Sequence, residues 1–161
     1  MSDKNNKKEI VVAVSGGFDP IHPGHIRLFH EAKSLGDKLV VILNNDHWLL
    51  KKKGFVFMNE KERKEVLEGL RDVDQVLLTK HPKNPEDTSV SQALKEIKPD
   101  IFANGGDRKI HNVPEVDVCK NLGCKMAWNV GHGGKIQSSS ELVDKAIKTA
   151  PRKIKVRVKH R

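Results

Sequence analysis

Short apolar runs alternate with amphipathic stretches along most of the chain. Glu9-Ile-Val-Val-Ala-Val14 is a largely β-branched run halted by Ser15-Gly16-Gly17, the pattern of a buried strand entering a loop. Ile26, Phe29, Ala32 and Leu35 then recur every third residue and predict a helix that Gly36 stops. Lys38 to Leu43 repeats the strand pattern and gives way to the polar loop Asn44-Asn45-Asp46. Asn59 with Glu62 has the form of a capping box, and Val66, Leu67, Leu70 and Val73 follow as one apolar helical face.

The alternation continues to the end. Gln75 to Thr79 reads as a third strand, the segment His81 to Asp87 as a polar loop, and Ser89 to Ile97 as a helix with Pro99 beyond it. Ile101-Phe-Ala103 runs into Asn104-Gly105-Gly106-Asp107; Pro114 and Gly123 bracket the next helix, and Lys125 to Trp128 gives a fifth strand. A last helix is predicted from Ser138 to Ser140 onward, burying Leu142, Val143, Ala146 and Ile147. Strands alternating with helices predict an α/β fold: a Rossmann-like, doubly wound, mainly parallel five-stranded sheet with helices on both faces. In such sheets ligands gather outside the carboxyl ends of the strands, so Gly16-Gly17, Asn44 to Asp46, Asn104 to Asp107 and the segment before Ser138 are expected on one rim.

A length of 161 residues suits one domain, here residues 1–150, followed by a basic tail, 151–161. Of the formal net charge of +9, six positive charges fall between Pro151 and Arg161, a segment without an acid. No long apolar run and no apolar leader segment are present, so the expectation is a cytoplasmic protein with no membrane partner. Cys119 and Cys124 lack a second pair that would complete a zinc set and are expected as reduced structural thiols.

The candidate chemistry sits in Ser15-Gly-Gly-Phe-Asp-Pro-Ile-His-Pro-Gly-His-Ile26. The order after Val14 lacks the G-x-G-x-x-G spacing of dinucleotide folds, and Gly134-Lys135 followed by Ile136 fails the G-K-[ST] pattern. Proline favours the first helical position, so Pro23 places His22 at a helix cap and His25 in the first turn, facing the same way. Gly24 between them permits close approach to the backbone. A helix N-terminus attracts anions, and two imidazoles there can donate to oxygens on which charge grows during phosphoryl chemistry. A metal site using Asp19 or His30, and a turn that merely contains histidines, are the alternatives.

Gly17-Phe18-Asp19 followed by His22-Pro23-Gly24-His25 resembles the G-x-F-D and H-x-G-H signature of the cytidylyltransferase-like nucleotidyltransferases. Asn44 to Asp46 with Lys51 to Lys53, Glu62-Arg63 with Val73-Asp74, Gly105 to Asp107, and Ser138 to Ser140 fall in order where that family has later motifs, so the resemblance spans Ile10 to Ile147. It implies an enzyme in which the phosphate of a small acceptor, such as a sugar or polyol phosphate, attacks the α-phosphorus of a nucleoside triphosphate and releases pyrophosphate. By that resemblance His22, His25 and Lys53 are catalytic. Gly16, Gly17, Phe18, Asp19, Gly24, Lys51, Gly105, Gly106, Asp107, Ser138, Ser139 and Ser140 bind the nucleotide. It implies Mg2+ carried by the triphosphate, with no protein-built metal cage, and a homodimer, with the region around Arg63 as its contact.

The stretch His132 to Gln137 departs from the arginine-glycine pattern that many cytidylyltransferases place before the serine cluster, with Lys135 as a substitute. The Gly-Gly-Asp form at residues 105–107 is more similar to adenylyltransferase domains of heptose-phosphate enzymes, which favours ATP over CTP. The acceptor pocket is expected in the loops Asn44 to Phe57 and His81 to Thr88. Two alternatives of other classes remain: a catalytically silent nucleotide sensor, which the intact His22 and His25 oppose, and a basic nucleic-acid-binding module. Lys153 to Lys159 alternates charged and apolar residues as such a module could. With seven aromatic residues and no tyrosine, however, the chain has no evident stacking platform, so nucleic acid is not the expected partner.

Overall fold

Each predicted apolar run is a strand in the computed structural model, which describes residues 6–106, 108, 113–131 and 137–150. Asp107, Lys135 and the tail 151–161 therefore lie outside the described residues. The elements in order are β1 (Val11–Gly16), α1 (Pro23–Ser34), β2 (Lys38–Leu43), α2 (Asp46–Lys53), α3 (Glu60–Glu68), β3 (Gln75–Leu78), α4 (Ser91–Ile97), β4 (Ile101–Gly105), α5 (Val116–Leu122), β5 (Lys125–Val130) and α6 (Ser139–Thr149). The strands form one sheet in the order β3-β2-β1-β4-β5, and every pairing is parallel. The chain thus winds outward from β1 to β3 and then returns to the other side of β1, placing the topological switch point between β1 and β4.

The side-chain alternation of the strands divides the core into two layers. Val12, Val14, Leu39, Val41 and Leu43 pack under α1 and α3 with Phe29, Ala32 and Leu67. Ala13, Ile42 and Phe102 pack under α4 and α5 with Ala93, Leu94, Cys119 and Cys124. Full burial of each large aliphatic side chain stabilises by roughly 1.5–3 kcal/mol, which explains why the nearly continuous apolar run of β2 occupies the doubly covered interior of the sheet. Both cysteines are free and buried, and burial raises the Cys124 thiol to about 12.

Several boundaries differ from the sequence expectation. The first strand begins at Val11, because Ile10 already serves the α1–β2 turn through its carbonyl, and it continues through Gly16, whose carbonyl accepts from the Asn44 amide at 2.9 Å. On α1 only Phe29 and Ala32 are buried; Ile26 lies in the exposed first turn and Leu35 is the C-cap. The segment expected as a loop from Asn44 contains helix α2. Asn45 caps it, accepting from the Trp48 amide at 3.1 Å, and Gly54 closes it with φ at +81°. Helix α3 ends at Glu68, so Leu70 and Val73 pack from the turn beyond it. Val66 faces solvent because Arg63, one turn before Leu67, occupies the inward face. The helix expected from Ser89 starts at Ser91. On α6 only Val143 is buried, while Ala146 and Ile147 are exposed: the helix docks through its first turns.

Candidate active site

The start of α1 is built from its two histidines. His22 is the N-cap, with φ −145° and ψ 171°, and Pro23 is the first helical residue. The His22 Nδ1 accepts from the Gly24 amide at 3.1 Å, and the His25 Nδ1 accepts from the His22 amide at 3.2 Å, a reciprocal capping box made of imidazoles. An amide can only donate, so each Nδ1 is unprotonated and each neutral ring carries its hydrogen on Nε2. The rings stack with centroids 3.7 Å apart and planes at 29°. Adding a Cβ to Gly24 would place it 2.8 Å from Cε1 of His22, so the glycine makes room for the ring.

Burial lowers the His25 pKa to about 3, with His22 and Lys53 adding to the effect, and burial also lowers that of His22. The pair is therefore neutral at physiological pH, as close stacking requires. With the folded pKa of His25 below its unfolded value, the unfolded chain binds the extra proton. The associated stability is present above about pH 6.5 and is lost as pH falls from there toward 3. We expect the Hε1 resonance of His25 to show no titration between pH 8 and 5 in an NMR series; a midpoint near 6.5 would contradict the neutral pair.

Phe18 fixes the loop before the helix. It is buried in the left-handed region at φ +49°, a strained backbone for a bulky residue, and meets His25 edge-on at 5.0 Å and Phe29 at 5.1 Å. Gly16 has no room for a Cβ, which would stand 2.8 Å from the Phe18 ring. The buried Asp19, expected as a nucleotide contact, accepts from the amides of Phe57 at 2.6 Å and Met58 at 2.7 Å, so its carboxylate holds the segment after α2.

Sequence reasoning missed how Arg63 is used. Its side chain is 1% exposed and donates to the carbonyls of Met58 at 2.8 Å, Gly17 at 2.7 Å and Asn44 at 2.7 Å, with a fourth bond to the Asp46 carboxylate at 2.7 Å. One guanidinium thus joins the loop after β1, the end of β2, the start of α2 and the loop before α3. Such burial gives this side chain an internal, structural role. The available signal was its spacing, one helical turn before Leu67 on the same face.

Residues far apart in sequence converge beside the histidines. The Lys53 Nζ donates to the Ser140 Oγ at 3.2 Å, and the Ser139 Oγ donates to the Pro20 carbonyl at 2.7 Å. Ser138 caps α6 through the Glu141 amide. Lys51 turns the other way and donates to the Asn84 Oδ1 at 3.0 Å. Gly105 ends β4 and Gly106 is exposed just beyond it. Asn44 and Asn104 lie at the carboxyl ends of the strands on either side of β1, each buried with an Oδ1 that has no donor among the described residues. Leaving such an acceptor unpaired costs about 1–3 kcal/mol. The loop from His81 is clamped to α2: the His81 carbonyl accepts from the Asn45 Nδ2 at 2.9 Å, and the Trp48 Nε1 donates to the Thr88 carbonyl at 2.9 Å. The arrangement joins two neutral imidazole donors at the start of α1 with an ammonium group from the end of α2 and serine hydroxyls from the start of α6, suited to an anion with several oxygens.

A family model described as cytidylyltransferase-like matches residues 13–129. The chain belongs to the cytidylyltransferase-like family. Among its relatives, an FAD synthase of Ferroglobus placidus is 39% identical over 97 residues, 60% of this chain and 59% of that protein. The bifunctional protein HldE of Gluconobacter oxydans is 39% identical over 118 residues, 72% of this chain and 23% of that protein. An FAD synthase of Thermococcus sibiricus is 32% identical over 148 residues, 89% of this chain and 96% of that protein. Among solved structures, the lipopolysaccharide core biosynthesis protein from Thermoplasma volcanium aligns with a TM-score of 0.62 and 27% identity, covering 78% of this chain and 99% of that one. The cytidylyltransferase-like match begins in β1 and ends in β5, so it contains the histidine corner, α2 and Arg63, while Ser138 to Ser140 lie beyond it. No helix among the described residues is long and apolar enough to cross a membrane.

Proposed function

We propose that this protein is an adenylyltransferase that joins the adenylyl unit of ATP to the phosphate of flavin mononucleotide, releasing pyrophosphate. The observation that carries the transfer chemistry is the locked histidine pair, with both Nδ1 atoms occupied by backbone amides, next to Lys53 and Ser140. Support for the base and the acceptor comes from the relatives named FAD synthase, two of which match over most of their length.

In the step, an oxygen of the acceptor phosphate forms a new bond to the α-phosphorus while the bond from that phosphorus to the α–β bridging oxygen breaks. The electron pair leaves with pyrophosphate. The Nε2–H groups of His22 and His25 donate to the α-phosphoryl oxygens as negative charge grows there, Lys53 neutralises the triphosphate, and Ser139 and Ser140 with the start of α6 receive its far end. Mg2+ supplies charge neutralisation when bound with the triphosphate. Asp19 and Asp46 are engaged by amides and by Arg63, so the ion would be held through triphosphate oxygens and water.

The test is an assay with Mg2+ and each of ATP, CTP, GTP and UTP against flavin mononucleotide, ribose 5-phosphate and glycerol 3-phosphate, following pyrophosphate and the joined product. ATP with flavin mononucleotide is expected to give FAD. The HldE relatives and the lipopolysaccharide-related structure favour a second reading, a sugar phosphate acceptor, and turnover confined to sugar phosphates would replace the first.

A further inference from the structure

The segment after the lysine run is unusual for a surface connection. Gly54-Phe55-Val56-Phe57-Met58 contains no polar side chain, holds two of the five phenylalanines in the chain, and joins α2 to α3 across the outside of the protein. Phe57 is 57% exposed, and Leu50, one helical turn before Lys53 on α2, is 54% exposed. Connections on the surface are normally polar, so one without a polar side chain needs a physical reason.

The backbone of this segment is nevertheless fixed firmly. The Asp19 carboxylate takes the amides of Phe57 and Met58, and the Arg63 Nε donates to the Met58 carbonyl at 2.8 Å. Asp19 lies three residues before His22, and Arg63 also carries the Gly17 carbonyl. The same two buried charged groups that shape the phosphate corner thus hold an apolar edge beside it, with Lys53 between α2 and Ser140. A rigid backbone presenting exposed apolar side chains is a preorganised contact, because little ordering is left to the moment of binding.

We infer that Leu50 and Phe57 form the subsite for the body of the acceptor, and that this body is a flat aromatic ring system, joined to one phosphate, that lays its face on them. The inference rests on the proposed adenylyl transfer and adds which residues select the acceptor. Charge complementarity fixes the orientation: the phosphate goes to Lys53 and the histidines, the ring to the apolar edge. The side chains of residues 54–58 carry no polar group, and a ring face asks of them only contact.

Phe57→Ala and Leu50→Ala, both at exposed positions, test this with flavin mononucleotide as probe, by steady-state kinetics and by quenching of its fluorescence on binding. Phe57→Ala is expected to raise KM and Kd for flavin mononucleotide about tenfold or more, the range found for removing one stacking aromatic, with KM for ATP within twofold and kcat little changed. Phe57→Trp should restore the affinity. Wild-type turnover of flavin mononucleotide with KM and Kd unmoved in both alanine variants would overturn the subsite and leave the proposed reaction standing. Wild-type turnover of ribose 5-phosphate alone, with no quenching by the wild-type protein, would overturn both. A variant that shifts the elution volume on gel filtration without moving KM or Kd would make the edge a contact between copies and overturn the subsite.

Discussion

Replacing His22 by asparagine is expected to lower kcat by about 10²–10³-fold, the loss seen when one preorganised donor to a transition-state oxyanion is removed. Asparagine keeps an acceptor for the Gly24 amide, so the α1 cap survives, but it has no group where Nε2–H stood. His22→Ala removes both functions and should cost a further ~1 kcal/mol of stability, a fall in Tm of roughly 2–4 °C. The comparison separates cap from catalysis: equal activity in the asparagine variant and the wild type would remove His22 from the chemistry. His25→Ala should match the alanine variant in activity and also free the His22 amide.

Arg63→Met is expected to destabilise the fold by about 3–5 kcal/mol, because the carbonyls of Gly17, Asn44 and Met58 and one oxygen of Asp46 lose a buried, charged donor together. In a chain of this size that corresponds to a Tm lower by roughly 10 °C. Arg63→Lys should recover little, since a compact ammonium cannot span partners on four segments as a planar guanidinium does. Urea unfolding of both variants measures the cost, and kcat/KM under conditions where they remain folded should fall as well, because Gly17 and the start of α2 lose their common anchor. Stability within 1 kcal/mol of wild type for Arg63→Met would show that the neighbouring carbonyls find other partners.

The elements legible in the sequence were those whose signal is local. A β-branched run such as Lys38 to Leu43 can be satisfied only by burial on both faces, and His22-Pro23 marks a helix start through proline geometry alone. Helix α2 was hidden because its two buried residues, Trp48 and Leu49, are adjacent and leave no helical period; Asn45 and Gly54 as its caps were the readable trace. The outward turn of Val66 followed from Arg63 taking the inward face, which no apolar pattern can announce. In the site, the shared rim of Gly16, Lys53 and Ser140 was legible from topology, because parallel strands deliver their ends to one side. The occupation of Asp19 by two amides and the divergence of Lys51 from Lys53 depend on three-dimensional neighbours, and spacing carries no record of them.

The imidazole capping box also restricts what can attack at this corner. Each ring has its basic nitrogen closed by an amide and offers solvent or ligand only a hydrogen. Neither histidine can then take a proton from an incoming nucleophile without uncapping the helix that positions it. An alcohol or a water molecule, which must lose a proton as it bonds to phosphorus, finds no base in this pair, whereas a phosphate arrives already ionised near neutral pH. In the proposed reaction this pair gives hydrolysis of the triphosphate no help, and the helix cap acts as a filter on reactivity.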